Sequence, residues 1–429
     1  LSAPVRVSRL LILASNAPSQ RPEPGHHHDR LLRPLAGWQR NLAALWFAQL
    51  TAIFGFSFAF PFLPVYLREL GVHNPGDLAV WTGVTGGASG AALAIMSPIW
   101  GTLADRYGRR AMLLRAMLGG AVTVGLMGFA RGPVDLLVLR LVQGATAGTV
   151  AATTALVASG TPRPRVGWAL GVLSSAVAVG SALGPLVGGL AASILGVRAI
   201  FWAGGGLLAA ATIPVFAIVR EAPPGQSQAG RRPALAVLRE AAPGAVAIVA
   251  ALLVCQALLQ ISNNGFQPMV VLRLLEHLSS GVEAVTGIAF AAAGLSSALA
   301  SVMSARVARH FGFRAVGALA ALLLAGSQLI SGYGPNVPTI VFGAALAGAF
   351  FGMVGPIIYT MIGLESPSEV QARVFGLGAS ATAIGFALGP LGAGLLAARL
   401  GTALAITACA LCAVVLAAVL ATRTREPAR

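Results

Sequence analysis

Four charged side chains, Asp105, Arg106, Arg109 and Arg110, fall within the stretch GTLADRYGRR of a chain in which charged residues make up only 10%. A carboxylate among guanidiniums can pair with them, take a proton, or be drawn to the positive end of a helix. Such a cluster suits a contact that is made and broken. Gly101, four residues before Asp105, permits close approach of a second helix, and Gly108 permits a tight turn. Arg140 stands in an apolar run with Gln143 and Gly144 on its helical face at i+3 and i+4. About 10 Å of helix separates it from the nearer end of that run, where Asp135 lies, and a guanidinium at such depth is costly unless it meets polar groups. Arg140, Gln143, Gly144 and Asp135 are therefore the coupling or cavity candidates. Gln49, Asn263, Asn264, Gln267 and Tyr359 are further polar groups inside apolar runs and candidates for a substrate cavity. With Gly265 and Pro268 beside them, residues 263–267 are expected to form a broken, cavity-facing segment.

Other chemistry is missing. None of the thirteen acidic residues lies in the middle of an apolar run, and none of the six histidines does. Serines, histidines and acids form no triad or metal set, so no enzyme activity, cofactor or metal is expected. The spacing of Cys409 and Cys412 resembles a metal pair, but both sit in an apolar run without a second pair, which points to packing. His26 to His28 lie in a Pro-rich stretch where a metal role is not expected.

The elements that must position these residues are membrane helices. Hydrophobic residues make up 56% of the chain, the mean hydropathy is +0.81, and the long apolar runs lack two-residue alternation, which selects helices over a barrel. Breaks at Arg, Pro and acidic residues place spans near 42–67, 80–103, 112–130, 134–159, 166–192 and 199–219, then 245–272, 282–305, 315–333, 338–363, 372–397 and 402–421. The expected organisation is a disordered cytoplasmic tail (1–41), a six-helix bundle (42–219), a Pro- and Arg-rich linker (220–244), a second six-helix bundle (245–421) and a short tail (422–429). All 29 basic residues are arginine, and most fall on the side that carries the termini. That asymmetry predicts cytoplasmic termini in the plasma (inner) membrane, and it accounts for the net charge of +16 without a nucleic-acid partner.

The two halves repeat. A shift of 205 residues sets GSALGPLVGGLAASILG (180–196) over GFALGPLGAGLLAARLG (385–401). A shift of 204 aligns Ser97 with Ser301, Gly108 with Gly312 and Arg110 with Arg314, while Arg309 stands where Asp105 would map and Ala305 where Gly101 would. Duplicated halves are typical of secondary transporters, which rock about a midplane site.

GTLADRYGRR resembles the motif between spans 2 and 3 of the major facilitator superfamily. RLVQGATAG (140–148) is similar to its span-4 motif, and GSALGPLVGG (180–189) resembles the span-5 motif of its twelve-helix drug:proton antiporters. The resemblance implies an all-α integral membrane fold of twelve helices in two pseudo-symmetric bundles. It also implies proton-coupled export of small amphiphilic compounds, with uptake symport of a sugar or organic acid as the alternative. Gly101, Asp105, Arg106, Gly108, Arg109 and Arg110 would form the cytoplasmic gate, Asp105 meeting the start of span 11 near Gln371 to Phe375. Gly180, Gly184, Pro185, Gly188 and Gly189 would form a helix-packing face against span 8. Partners are expected to be a small-molecule substrate, protons and lipid, with the chain a monomer. Any proton would be carried by acids near the span ends, led by Asp105 and Asp135, and the cavity would prefer neutral or anionic compounds to permanent cations.

Overall fold

The computed structural model describes residues 37–221, 245–367 and 370–426. Most of the expected tail and linker, at 1–36 and 222–244, lies outside the described residues. Every described element is helical, and 12 helices are long and apolar enough to cross a bilayer. Numbered as spans 1 to 6, the first six are Gly37–Glu69, Pro75–Tyr107, Arg109–Met127, Pro133–Gly160, Val166–Leu195 and Val197–Ile218. Spans 7 to 12 are Val246–His277, Val282–Phe311, Phe313–Tyr333, Val337–Glu365, Arg373–Leu400 and Thr402–Arg423.

Local chemistry sets the ends. Asn74 caps span 2 by accepting from the backbone N–H of Gly76 and Asp77 at 2.8 and 3.2 Å, and Asn336 caps span 10 through Thr339 N at 3.0 Å. A proline in the first turn of spans 2, 4 and 10 loses no helical bond there. Spans 2 and 3 are joined by Gly108 at φ 92°, and spans 8 and 9 by its repeat mate Gly312 at φ 95°. A residue with a Cβ in this left-handed region costs about 1–2 kcal/mol, which explains glycine at both corners.

Spans 1 and 4 depart from smooth rods. Span 1 passes through a 3-10 turn at Phe60–Phe62, where Pro61 and Pro64 withdraw two backbone donors. Span 4 is two helices, Pro133–Thr146 and Thr149–Gly160, hinged where Ala147 is extended and Gly148 has φ 131°. The break expected around Asn263, Asn264 and Gln267 is absent, since one helix runs from Ala245 to His277. A Cβ on Gly265 would stand 2.8 Å from the Gly389 carbonyl of span 11, so there is no room for an unwound loop. The Asn264 amide is also satisfied within the helix, donating to the Gln260 carbonyl at 2.8 Å.

Within the first half, span 1 packs on spans 5 and 6 and span 3 on span 6; within the second, span 7 packs on spans 11 and 12 and span 9 on spans 10 and 12. The halves meet chiefly through span 2 against span 11 and span 5 against span 8. Large side chains such as Ile213, Phe342 and Leu411 point outward, as lipid contact allows. Asn41 bonds to Arg220, and Glu426 to the start of span 9, so both described chain ends lie with the 2–3 and 8–9 turns at one end of the bundle. That end is called the tail face below, and the opposite one the far face.

Gly312→Ala should lower the melting temperature of the purified protein by an amount equivalent to about 1–2 kcal/mol. Gly326→Ala, in a helix with nothing within 4 Å of an added Cβ, should be neutral or slightly stabilising, and a thermal melt of both variants checks the contrast.

Candidate functional site

The charged turn between spans 2 and 3 is built around an acid from elsewhere. Glu221, just past span 6, accepts from the backbone N–H of Arg109 at 2.7 Å and of Arg110 at 3.1 Å. A carboxylate on the exposed N–H groups of a helix start neutralises both the unpaired donors and the positive dipole end. A Cβ on Gly108 would fall 2.6 Å from Glu221 Oε2, so glycine also makes room for the cap. Arg110 donates to the Phe216 carbonyl and lies over its ring, and Arg109 donates to the Ala155 carbonyl at 3.2 Å. Both arginines therefore tie spans 3, 4 and 6 of one half together here, where pairs across a gate were expected. Arg106 lies over the neighbouring Tyr107 ring. Glu426 repeats the clasp in the second half, accepting from Phe313 N at 2.7 Å and Arg314 N at 3.0 Å, while Arg314 reaches the Ala421 carbonyl.

Asp105 is exposed and bonds to no described residue, and Gly101 has nothing within 4 Å of an added Cβ. Ile95 and Ile99 of span 2 and Leu299 and Val302 of span 8 are exposed on the same tail-side stretch. At this end no described glycine of spans 2, 5 or 11 meets the other half: Gly101, Gly167, Gly171 and Gly376 have nothing within 4 Å of an added Cβ, and Gly378 meets only Tyr359 and Leu253. Toward the far face the halves close backbone to backbone. A Cβ on Gly83 would lie 2.9 Å from Gly394 Cα, and one on Gly287 would lie 3.0 Å from Gly189 Cα. These two crossings are related by the internal repeat, as are Gly90 on Phe386–Ala387 and Gly294 on Ala182. A cavity of about 280 Å³ at the far-face rim, lined by Arg68, Glu69, Ser280 and Glu283 among others, does not reach the buried polar groups described below.

The span-5 glycines divide their work. Gly180, Gly184 and Gly188 face span 1, with added Cβ atoms falling 2.9 Å from the Leu50 carbonyl, 2.7 Å from Ser57 Cβ and 2.1 Å from the Phe58 carbonyl. Pro185 and Gly189 face span 8 instead, meeting Gly287. The face expected against span 8 is thus mostly a seat for span 1, because residues at intervals of four share one side of a helix and Gly189 lies 100° away.

Arg140 is 9% exposed and is held by span 2. Its Nε donates to the Thr85 carbonyl at 3.0 Å and Nη2 to the Gly86 carbonyl at 3.4 Å, while Nη1 donates to Gln143 Oε1 at 2.7 Å. The guanidinium also lies 4.3 Å from the Phe60 ring centroid. Gly144 makes this reachable, since a Cβ there would stand 2.1 Å from the Ser89 carbonyl. Carbonyl dipoles, a neighbouring amide and an aromatic face therefore carry a charge that has no carboxylate partner. Asp135 is exposed at the far face and accepts from Arg131 N at 2.9 Å.

Arg115, near the tail-side end of the expected span 112–130, acts inside the bundle. It stacks 3.5 Å from the Trp100 ring centroid and donates to the Ala147 carbonyl at 3.1 Å, and Trp100 Nε1 donates to the Ala145 carbonyl at 2.6 Å. These donors satisfy the carbonyls that the span-4 break frees. Only the apolar sequence around Arg115, with Leu113, Leu114 and Met117, hinted at this.

Among the other candidates, Gln49 is fully buried and accepts from Thr153 Oγ1 at 2.6 Å, leaving its Nε2 without a partner. Asn263 is half-buried, and Gln267 is exposed. Tyr359 is joined by Gln256, fully buried, whose Nε2 lies 3.3 Å from the tyrosine oxygen and 3.0 Å from Thr382 Oγ1. No group of His, Cys, Asp or Glu among the described residues is placed to hold a metal ion.

A sequence model of the Major Facilitator Superfamily matches residues 45–254 and 252–429. Over 367 residues the chain is 30% identical to the "Multidrug resistance protein MdtG" of Salmonella arizonae, covering 85% of this chain and 90% of that one. The protein of the same name from Salmonella newport matches equally, at 30% over 367 residues. Among solved structures, a bacterial homologue of the human lysosomal transporter Spinster, inward-facing and occupied, superposes with a TM-score of 0.75 at 15% identity over 91% of this chain and 98% of that one. The human organic anion transporter MFSD10 gives 0.63 at 21% identity over 90% and 100%. At these identities the structures show a shared fold.

Glu221→Ala should destabilise the protein by about 0.5–2 kcal/mol, read as a lower melting temperature, whereas Asp105→Ala should change it by less than about 0.5 kcal/mol. Gly83→Leu or Gly287→Leu should wedge the far face open, so that a cysteine pair placed across spans 2 and 11 at that face no longer cross-links. Unchanged cross-linking would show that the seam tolerates a side chain.

Proposed function

Since the chain belongs to the Major Facilitator Superfamily, we propose that it exports small amphiphilic compounds, drugs or metabolites among them, by proton antiport with alternating access. The observation that carries this reading is the unequal state of the two faces. The far face is sealed at Gly83–Gly394 and Gly189–Gly287, while the tail face is open around Gly101. A bundle sealed at one end only is one of the two end states that alternating access requires. The relatives named multidrug resistance proteins, at 30% identity over most of both chains, support a drug-like cargo and outward transport.

In this reading the tail face is cytoplasmic, both termini lie inside the inner membrane, and the protein works as a monomer. Arginines crowd that face, from Arg106, Arg109 and Arg110 to Arg314 and Arg423, as the positive-inside rule requires. Cargo enters from the open tail face. Closing that face brings span 2 toward span 11, and Gly101 is the surface that allows the approach. Asp105 then meets the N-terminal turn of span 11 near Gln371, a contact of about 0.3–2 kcal/mol that biases two states without locking either. In this reading the antiported proton enters from the far face, neutralises Asp105 and so removes that attraction, and leaves to the cytoplasm once the mouth is open. Asp135 is the second acid near a span end. Arg140 keeps a positive, desolvated charge within the first half, which disfavours permanent cations and favours neutral or anionic cargo.

Drug susceptibility in a pump-deficient bacterial host tests this. The wild-type chain should raise resistance to uncharged or acidic antibiotics more than to ethidium. Asp105→Asn should remove most of that resistance by weakening the inner seal, and Arg140→Ala should shift the remaining export toward ethidium. Strong ethidium export with little export of the others would overturn the cargo preference. Export unchanged by a collapsed proton gradient in everted vesicles would overturn the antiport.

A further inference from the structure

Spans 7, 10 and 11 place one aromatic pair and one hydroxyl in an arrangement that the symmetry of the fold does not require. Tyr359 lies on the tail-side half of span 10 and is 38% exposed. Its ring stacks on Phe375 of span 11, with centroids 6.3 Å apart and planes 29° apart. Beneath the ring is Gly378, where an added Cβ would stand 3.8 Å from Tyr359 Cε1. The aromatic surface is therefore continuous and held at its back.

The hydrogen bonds fix what the hydroxyl can do. Thr382 Oγ1 donates its proton to the Gly378 carbonyl at 3.1 Å, so its oxygen is left to accept. Gln256 must then turn its Nε2 toward Thr382, and that same amide nitrogen donates to the Tyr359 oxygen at 3.3 Å. Gln256 is fully buried, and in this orientation its Oε1 has no partner. Tyr359 thus receives a hydrogen bond through its oxygen and retains its own proton. Thr382 Oγ1, at 3.5 Å, is too far to take that proton well. A half-exposed aromatic surface carries at its rim one O–H donor in search of an acceptor.

We infer that Tyr359, stacked on Phe375 and oriented by Gln256 and Thr382, is a cargo subsite for a flat aromatic compound that carries a hydrogen-bond acceptor such as a ring carbonyl or a carboxylate. The acceptor of the compound lies in the plane of the phenol at its rim, where it receives the phenolic proton, and the compound's ring packs edge-on against the aromatic pair. Gln256 is a positioning residue, holding the tyrosine oxygen so that the proton points away from it. The subsite rests on the transport reading above and narrows it, since it selects by acceptor and ring as well as by charge.

The test uses the full chain in nanodiscs and two probes of nearly equal size, 9-fluorenone with a carbonyl and fluorene without one. Equilibrium binding is corrected for uptake by empty nanodiscs. The wild type should bind fluorenone about threefold to tenfold more tightly than fluorene, the range of one hydrogen bond. Tyr359→Phe should abolish that preference by weakening fluorenone alone, and Tyr359→Leu should weaken both probes. Gln256→Leu should reduce the preference while leaving fluorene binding in place, provided its melting curve shows a folded protein. Equal binding of the two probes by the wild type, or a Tyr359→Phe variant that keeps the preference, would overturn the subsite. Because no gradient is present, a protein that keeps the probe preference but exports nothing in cells would count against the transport reading alone.

Discussion

The architecture depends on backbone meeting backbone across the seam between the two halves. In lipid the hydrophobic effect gives helices no reason to associate, so contact must come from close packing and dipoles. Gly83 on Gly394 and Gly189 on Gly287 supply that closeness, since any side chain there would hold the halves apart. These contacts can also be undone without exposing a charge or an unpaired donor, because the glycines leave only helical backbone behind. A seam of long apolar side chains would have to be repacked at every turnover, and one of ion pairs would have to be desolvated anew.

The same economy governs the charges in the first half. Arg140 is held by two main-chain carbonyls of span 2 and Arg115 by one of span 4, each with an aromatic ring beside it and no carboxylate among the described residues involved. Each arrangement needs backbone that comes unusually near: Gly144 lets span 4 press on span 2, and the break at Ala147 and Gly148 turns carbonyls toward Trp100 and Arg115. At the tail face the signs reverse. There a carboxylate, Glu221 or Glu426, sits on the start of a helix and leaves the arginines free to reach span ends. Cations on carbonyls and anions on N–H groups are one strategy, which uses helix backbone as the counter-charge.

Much of the frame was legible in the sequence, because lipid demands about twenty apolar residues per crossing and tolerates few exceptions. The twelve spans, the duplicated halves and the glycines at 108 and 312 follow from that demand and from the φ that each corner requires. The twelve-helix class of transporter was legible too, through the motifs at 101–110, 140–148 and 180–189. What could not be read was which distant residue answers each charge. The role of Arg115 was hidden because its partners, Trp100 and Ala147, come from two other helices. The break in span 4 was hidden because an Ala-Gly pair is ordinary in a membrane helix, whereas Pro268 drew attention to span 7 and caused no break. Glu221 was within reach, since Glu426 lies 205 residues on, the same offset that aligns spans 5 and 11. Asp105 is a different case, because it bonds to no described residue and the partner proposed for it belongs to a state with the tail face closed.

Duplication gives the two halves one frame, and function requires that their chemistry differ. Where the frame is mechanical, the mates agree: Gly83 with Gly287, Gly189 with Gly394, Glu221 with Glu426. Elsewhere they part. Arg309 replaces the acid of the first-half turn, so the acid stands in one half only. Arg140 gives the first half a buried cation, while the second half offers Gln256, Tyr359 and Thr382, which are neutral. In the reading proposed above, the second half meets both ring and acceptor of the cargo at Tyr359, and the first half has no tyrosine at the matching place. Symmetry in the hinge with asymmetry in the lining is how one duplicated bundle can both rock and discriminate.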